Sequence, residues 1–484
     1  MSKKSLKKNY IFSLMYEILA IIVPFVTTPY VSRVLGATSI GDYYYIGGIV
    51  SYFGLIAATG TATYGNREIA ILHNDKKARS KLFFEIFFFR IICTLIAFIG
   101  YSYLLISSTG VYHTLYFINI LLFISWILDV SWFCQGMENF KVTAIRNSMV
   151  KIAGALLVFV FVKSSDDVWI YTLIYSGSMA IGNATMWVYV LKEVKWQGFN
   201  DLNIFGHTKS IMQLFIPVIA IQIYTVMDKT MLGYLDNTTE VGYYSQGNKI
   251  ITIAMTFVNA FIAILMPRIS TLYAQSEKLQ LNKLIDKTLR YIFLLSIPMM
   301  VGCILIIDQF VPIFFGVGYE PVGNVIKILS LLFVMLNLGR LFGTMLVAMK
   351  RQNEYTIVTI IAAVINLVLN LVFLKIFGMG AFGVAIASVV SESVATIIQY
   401  IFVRKDIDIS LILRSAISYI IPSIFMMISI YICKIFVGSG GVISLLVQLI
   451  VGISVYIVIL VIRKDDMVNM LLESILIKFN IKKK

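Results

Sequence analysis

The chain has 484 residues, 59% of them hydrophobic and only 13% charged, with a mean hydropathy of +0.88. Soluble domains run near one quarter charged, so this apolar surplus excludes a single soluble core and requires lipid to cover much of the surface. The formal charge of +15 is dispersed over short loops instead of clustering on one face, which argues against a nucleic-acid partner and for attraction to anionic headgroups.

A membrane span needs about 20 apolar residues. Runs of that length predict spans at 10–32, 41–63, 82–107, 112–134, 144–162, 168–191 and 211–233. Seven more are predicted at 241–264, 289–307, 323–349, 355–377, 380–403, 415–433 and 441–462. Lys3-Lys4 and Lys7-Lys8 ahead of the first run look like a signal-peptide n-region. That run is too long and lacks a small-x-small cleavage site, so it is read as a retained first span.

Basic residues in short loops stay on the cytoplasmic side. With the N-terminus inside, that side receives Arg67, Lys76, Lys77, Arg79, Lys81, Lys192, Lys195, Arg268, Lys278, Lys283, Lys350, Arg351, Arg404, Lys405, Arg414, Arg463 and Lys464. Lys478 and Lys482 to Lys484 join them, while the opposite loops hold only Arg33, Lys163, Lys375 and Lys434. Both termini are therefore expected in the cytoplasm, with Asp308 to Glu320 outside. No loop is long enough for a folded domain, which disfavours an enzyme acting on a soluble substrate. Cys93, Cys134, Cys303 and Cys433 show no CxxC spacing, and His73, His113 and His207 are scattered, so no metal site, disulfide framework or catalytic centre is expected.

An internal repeat sets Val34-Leu35-Gly36 and Gly41-Asp42-Tyr43-Tyr44 against Met231-Leu232-Gly233 and Gly242-Tyr243-Tyr244, each after a proline-containing span (Pro24 and Pro217). Six spans separate the copies, which gives them the same orientation and points to parallel repeats about an axis along the membrane normal, a transporter construction. The last two spans lie outside the repeat.

Charges at membrane depth cost about 3 kcal/mol or more and face a cavity or a partner. The set is Glu17, Asp42, Arg90, Asp129, Lys151, Asp228, Lys229, Lys249, Lys327, Arg340 and Glu392. Asp42, Lys151, Lys229 and Lys327 lie near predicted ends, where snorkelling would explain them; Arg90, Arg340, Glu392 and Glu17 lie deeper. Cations at depth could hold an anionic headgroup, and carboxylates could carry a coupling proton or neutralise the cations. Structural ion pairs would give the same list. Asn366 and Asn370 share a helix face, for bonding between helices or for lining a cavity. Gly378 to Ser391 is rich in small residues that permit close helix approach. Asp406-Ile407-Asp408 has the spacing of a glycosyltransferase metal pair but is read as chance beside Arg404-Lys405. Neither a Walker A loop nor a GxSxG elbow is present, so energy is expected from a proton or sodium gradient, the membrane potential or substrate consumption.

Several segments are similar to a known family. Thr28-Pro29-Tyr30-Val31-Ser32-Arg33-Val34-Leu35-Gly36, Gly41 to Tyr45 and Tyr64-Gly65-Asn66-Arg67-Glu68-Ile69-Ala70 resemble the opening of the Wzx-like flippases of O-antigen and capsule synthesis. Asp129 to Gly136, Phe140-Lys141, Arg146-Asn147, Asp228 to Gly233, Asn366 to Asn370 and Gly380 to Glu392 continue the resemblance nearly end to end.

The resemblance implies the all-α multidrug/oligosaccharidyl-lipid/polysaccharide exporter fold. In it two six-helix bundles, 1–205 and 206–405, form a V around a central cavity, and 406–484 adds two helices and a basic tail. It also implies a bacterial cytoplasmic-membrane flippase, not an enzyme, turning an undecaprenyl-diphosphate-linked repeat unit to the outer face. Membrane lipids, a polymerase and other polysaccharide-assembly proteins would be its partners, and no cofactor is expected. Arg33, Arg90, Lys151, Lys249 and Arg340 are the substrate-binding candidates; Glu17, Asp42, Asp129, Asp228 and Glu392 are the coupling or charge-balancing ones. Asp42 is similar in place to an acidic residue of lipid II flippases, but Arg33 alone is a thinner basic cluster than those proteins show, which argues against lipid II as cargo. A drug/cation antiporter of the same fold is the alternative, with a membrane polysaccharide polymerase behind it.

Overall fold

The computed structural model describes residues 3–470 apart from 197, 200, 276 and 439. The side chains of residues 3–14 and of several positions within 216–224 and 257–274 are outside that description, so Lys3, Lys4, Lys7, Lys8 and Pro217 cannot be placed as side chains. Lys478 and Lys482 to Lys484 lie outside the described residues altogether.

Lipid offers no partner to backbone N–H and C=O groups, so each apolar run must satisfy them within itself by closing into a helix. The described residues form α1 (Lys3–Ala58), α2 (Thr61–Ile71), α3 (Lys76–Ser107), α4 (Gly110–Leu128), α5 (Ser131–Gly136), α6 (Phe140–Phe161), α7 (Val168–Glu193) and α8 (Thr208–Leu235). There follow α9 (Thr238–Ala274), α10 (Lys278–Phe314), α11 (Glu320–Leu329), α12 (Leu332–Ala348), α13 (Gln352–Leu371), α14 (Gly380–Val403), α15 (Ile409–Val437) and α16 (Gly441–Ile462). There is no strand among them. The predicted spans fall mainly on helix, interrupted at Thr59-Gly60 within 41–63, at Asp129-Val130 within 112–134 and at Ser330-Leu331 within 323–349, and among the described residues ten helical segments are long and apolar enough to cross a membrane. The protein is an all-α polytopic membrane protein.

Two features differ from expectation. The first two spans are two helices joined by a kink of a single non-helical residue, Gly36 at φ 75° and ψ 172°, where a longer loop was predicted. A Cβ at such a φ is disfavoured, so glycine sets this break. The stretch after the second span, predicted as loop, contains α2. Asp75 then caps α3 by accepting from the backbone N–H groups of Lys77 and Ala78, both at 3.0 Å.

The chain divides into two compact units, Met1–Gly242 and Tyr243–Lys484. In the first, α1 packs against α3, α6 and α8, and α4 against α7. Close approach is made possible by glycines: a Cβ on Gly65 of α2 would sit 2.4 Å from the Trp132 ring, and one on Gly136 2.8 Å from the Asn66 carbonyl oxygen. The two repeat motifs meet here. A Cβ on Gly41 would lie 1.6 Å from the Thr238 carbonyl oxygen, one on Gly242 2.2 Å from the Ala37 carbonyl oxygen, and the Thr38 and Thr239 hydroxyls are 2.8 Å apart. The segment before α8 is fastened by His207, whose Nε2 is 2.8 Å from Glu85 Oε2 and whose Nδ1 is 2.7 Å from the Tyr64 hydroxyl. In the second unit α10 packs on α12, α15 and α16, and α14 on α12 and α13. Leu289, Phe342 and Tyr419 are among the buried side chains at the centre of that packing.

Candidate functional site

In the first unit, charge collects where α4 ends. Asp129 leaves the helix at φ −72° and ψ 103°, and its Oδ1 accepts from the Ser131 backbone N–H at 3.0 Å, starting α5. Arg90 of α3 reaches this corner. Its Nη2 is 3.1 Å from Asp129 Oδ2, its Nη1 donates to the Asp129 carbonyl at 3.2 Å, and its side chain is 3% exposed. Two of the predicted residues are thereby brought together as an ion pair, with Arg90 buried and Asp129 half-buried.

Arg146 of α6 interacts electrostatically with Asp129 and with Tyr16 of α1, and it donates to Asn147 Oδ1. It is half-buried, in room left by Gly182 of α7, where a Cβ would meet the Arg146 Nε at 3.3 Å. Lys151, one helical turn and a little further along α6, holds its ammonium 5.6 Å from the centre of the Tyr16 ring. Glu17, beside Tyr16, is exposed. Arg146 entered the sequence reading only within a motif, since it stands at the edge of a predicted span and its partner Asp129 belongs to another helix.

Beyond the Gly36 kink of α1, tyrosines form a wall. Tyr43 packs against Tyr171 and Tyr175 of α7 with ring centroids 4.8 and 6.0 Å away, and against Tyr44 at 5.2 Å. The Lys229 ammonium lies 4.9 Å over the Tyr44 ring. Asp42 is half-buried and accepts hydrogen bonds from the Thr238 and Tyr112 side chains. Asp228, on α8, is buried close to Tyr52, whose hydroxyl is 3.0 Å from that of Thr230. Arg33 is exposed three residues before the Gly36 break.

In the second unit Arg340 is exposed on α12, and Glu392 of α14 and Tyr355 of α13 act on it electrostatically. Lys249 is half-buried on α9. Asn366 and Asn370 of α13 are fully buried, with Asn370 Nδ2 donating to Asn366 Oδ1 at 3.1 Å. Of the predicted residues, Arg90 and Asp129 are brought together as a tight pair and Arg340 and Glu392 as a looser one. Among the described residues no three His, Cys, Asp or Glu side chains come together as a metal site.

The chain matches the polysaccharide biosynthesis protein family over residues 6–273 and the MatE family over residues 214–372. It is 23% identical over 416 residues to the "Putative O-antigen transporter" of Escherichia coli (strain K12), an alignment spanning 84% of this chain and 98% of that one. It is 24% identical over 233 residues to the "Probable low-salt glycan biosynthesis flippase Agl15" of Haloferax volcanii, spanning 48% of this chain and 49% of that one. Its fold is similar to that of lipid II flippase MurJ in an inward closed conformation, with a TM-score of 0.71 at 17% identity, over 95% of this chain and 100% of that one.

Proposed function

Since the chain belongs to the polysaccharide biosynthesis protein family, we propose that it is a flippase that moves an undecaprenyl-diphosphate-linked oligosaccharide repeat unit from the cytoplasmic to the outer face of the membrane. It works by alternating access, with no covalent chemistry and with both termini in the cytoplasm. The observation that carries the reading is the charge at the inner end of α1. Arg90, Arg146 and Lys151 gather around Asp129 and Tyr16, and even with Glu17 counted the cations outnumber the carboxylates three to two. A drug/cation antiporter would want the opposite balance.

Roles follow from placement. Arg146 and Lys151 contact the diphosphate in the first unit, and Arg340 is a separate cargo contact of the second; guanidinium suits this because it offers paired donors to phosphate oxygens. Arg90 is committed to Asp129 and acts as a positioning residue that holds the α4–α5 corner. The tyrosines that follow the Gly36 kink of α1 present flat apolar faces with polar rims, a surface matched to sugar rings. Asp42, Asp228 and Glu392 are the carboxylates through which a proton or sodium gradient could be coupled. The names of the relatives support the cargo class, as O-antigen transport and glycan flipping are what two of them are described as doing.

Deleting the gene and extracting lipid-linked intermediates tests the proposal. A complete, unpolymerised repeat unit should accumulate on the inner leaflet. If no lipid-linked glycan accumulates, the reading fails.

A further inference from the structure

Two adjoining cavities in the second unit share the Leu460 side chain. One is an apolar trough of about 540 Å³ walled by α10, α15 and α16, with Pro298, Gly302, Met426, Ile430, Gly452 and Tyr456 on its surface. The other is a polar cup of about 270 Å³ lined by Arg290, Arg414, Ser418, Arg463, Lys464, Asp465 and Asp466. We propose that trough and cup together bind one anionic phospholipid of the cytoplasmic leaflet, its acyl chain in the trough and its phosphate in the cup.

The trough is built to stay apolar. Pro298 lacks the N–H that would bond the Leu294 carbonyl one turn back, and the Tyr456 hydroxyl donates to that carbonyl at 2.8 Å. No polar group is left facing the chain at this point. On α16 the lining runs from Leu449 to Leu460, about 16 Å at 1.5 Å per residue. That is the depth of one leaflet in a hydrocarbon core about 30 Å thick. Gly302 opens on this space: a Cβ there would meet only Met426 Cε, at 4.0 Å.

The cup has the charge a phosphate needs at the end of that trough. Its four cations face two carboxylates, and Asp465 is occupied, accepting from the backbone N–H groups of Met467 and Val468 at 3.0 and 3.2 Å and from the Tyr419 hydroxyl at 3.2 Å. Arg290 is 3.1 Å from Asp286 of its own helix, and Arg463 donates to the Ser418 carbonyl at 3.0 Å. Arg414 and Lys464 make no ion pair among the described residues, and both are exposed at the cup's rim. A basic pocket between membrane helices at the headgroup level is a site for anionic lipid. The proposal rests on the membrane fold alone and stands whatever the transported cargo is.

The test is native mass spectrometry of the purified full-length protein in a neutral detergent, offered phosphatidylglycerol and phosphatidylcholine at equal mole fraction. The wild-type chain should retain phosphatidylglycerol preferentially. Arg414→Gln with Lys464→Gln should weaken that retention about fivefold for each charge removed. Gly302→Leu, which fills the trough without a backbone clash, should abolish retention of either lipid, while Gly302→Ala should retain it. Equal retention of the two lipids, or unchanged retention in the charge variant, overturns the proposal. So does displacement by inorganic phosphate alone, which would make the cup a free-anion site, or preferential retention of a polyprenyl phosphate, which would make the trough part of the cargo route.

Discussion

Arg90 and Arg340 look alike in the sequence but should fail differently when replaced by glutamine. Arg90 is 3% exposed and 3.1 Å from Asp129 Oδ2, a separation at which the attraction is about 5 kcal/mol for an effective dielectric of about 20. Desolvation offsets much of that gain, but removing Arg90 takes from the Asp129 carboxylate its nearest partner; because that side chain is 23% exposed and keeps Arg146 nearby, the cost falls below the roughly 3–5 kcal/mol of a fully buried pair. Arg90→Gln should therefore lower the thermal midpoint and the amount of protein in the membrane, while the molecules that survive keep near-normal flux. Asp129→Asn added to it should recover part of the loss, since the carboxylate that lost its nearest partner is then gone, and the double-mutant cycle measures the coupling directly. Arg340 is exposed and meets Glu392 without a close ion pair, so Arg340→Gln should leave the midpoint unchanged and reduce flux at matched expression, with Arg340→Lys rescuing in part. Fluorescence-detected melting in detergent and a flipping assay in vesicles separate the two. If Arg90→Gln melts like the wild type yet transports nothing, Arg90 is a cargo contact and the reasoning is wrong.

Cysteines at Thr38 and Thr239, whose hydroxyls are 2.8 Å apart, should form a disulfide on oxidation that blocks transport and is relieved by reductant; normal flux through the cross-linked protein would show that this contact never opens. Arg146→Gln should lower flux about tenfold, the effect of roughly 1.4 kcal/mol in cargo binding, at unchanged abundance, and a loss of abundance instead would assign Arg146 to structure. The Asp408 carboxyl, held below the ordinary carboxylate range by hydrogen bonds from the Ser410 backbone N–H and hydroxyl, favours the folded start of α15 above the ordinary pKa. That contribution is lost as pH falls through the lowered value, so amide protection at Ser410 should drop there in the wild type and not in Asp408→Asn.

Much of the fold was legible because hydropathy is local: a run of about 20 apolar residues must be helical in lipid whatever it packs against. The two features that escaped are also local but weaker. Gly36 reads equally as a loop or as a left-handed break, and α2 is too polar to register as a span. Side-chain partners were illegible for a different reason. Arg90 and Asp129 lie 39 residues apart, and nothing in either helix states which of several deep carboxylates the guanidinium will meet. The list of deep charges could be drawn up, but its division into a tight pair and an exposed cation needed the packing of α3 against α4. The tyrosine wall was half visible, since Tyr43 and Tyr44 were in a motif while Tyr171 and Tyr175 were lost among apolar neighbours.

The repeat carries more meaning in three dimensions than its sequence similarity suggests. Thr38 pairs with Thr239, Gly41 faces Thr238, and Gly242 faces Ala37. Adding 201 to Ala37, Thr38 and Gly41 gives Thr238, Thr239 and Gly242, so each contact maps onto itself or onto its mate when the copies are exchanged. A self-complementary contact of this kind is what two-fold related patches produce. It also explains why glycine stands at both positions. With backbone carbonyls where each Cβ would go, a side chain on either glycine forces the two corners apart, and the symmetry makes the penalty nearly the same from either side. The glycines of the motif are thus fixed by the meeting of the two copies, while the residues beside them, Asp42 and the tyrosines, are free to differ according to what passes.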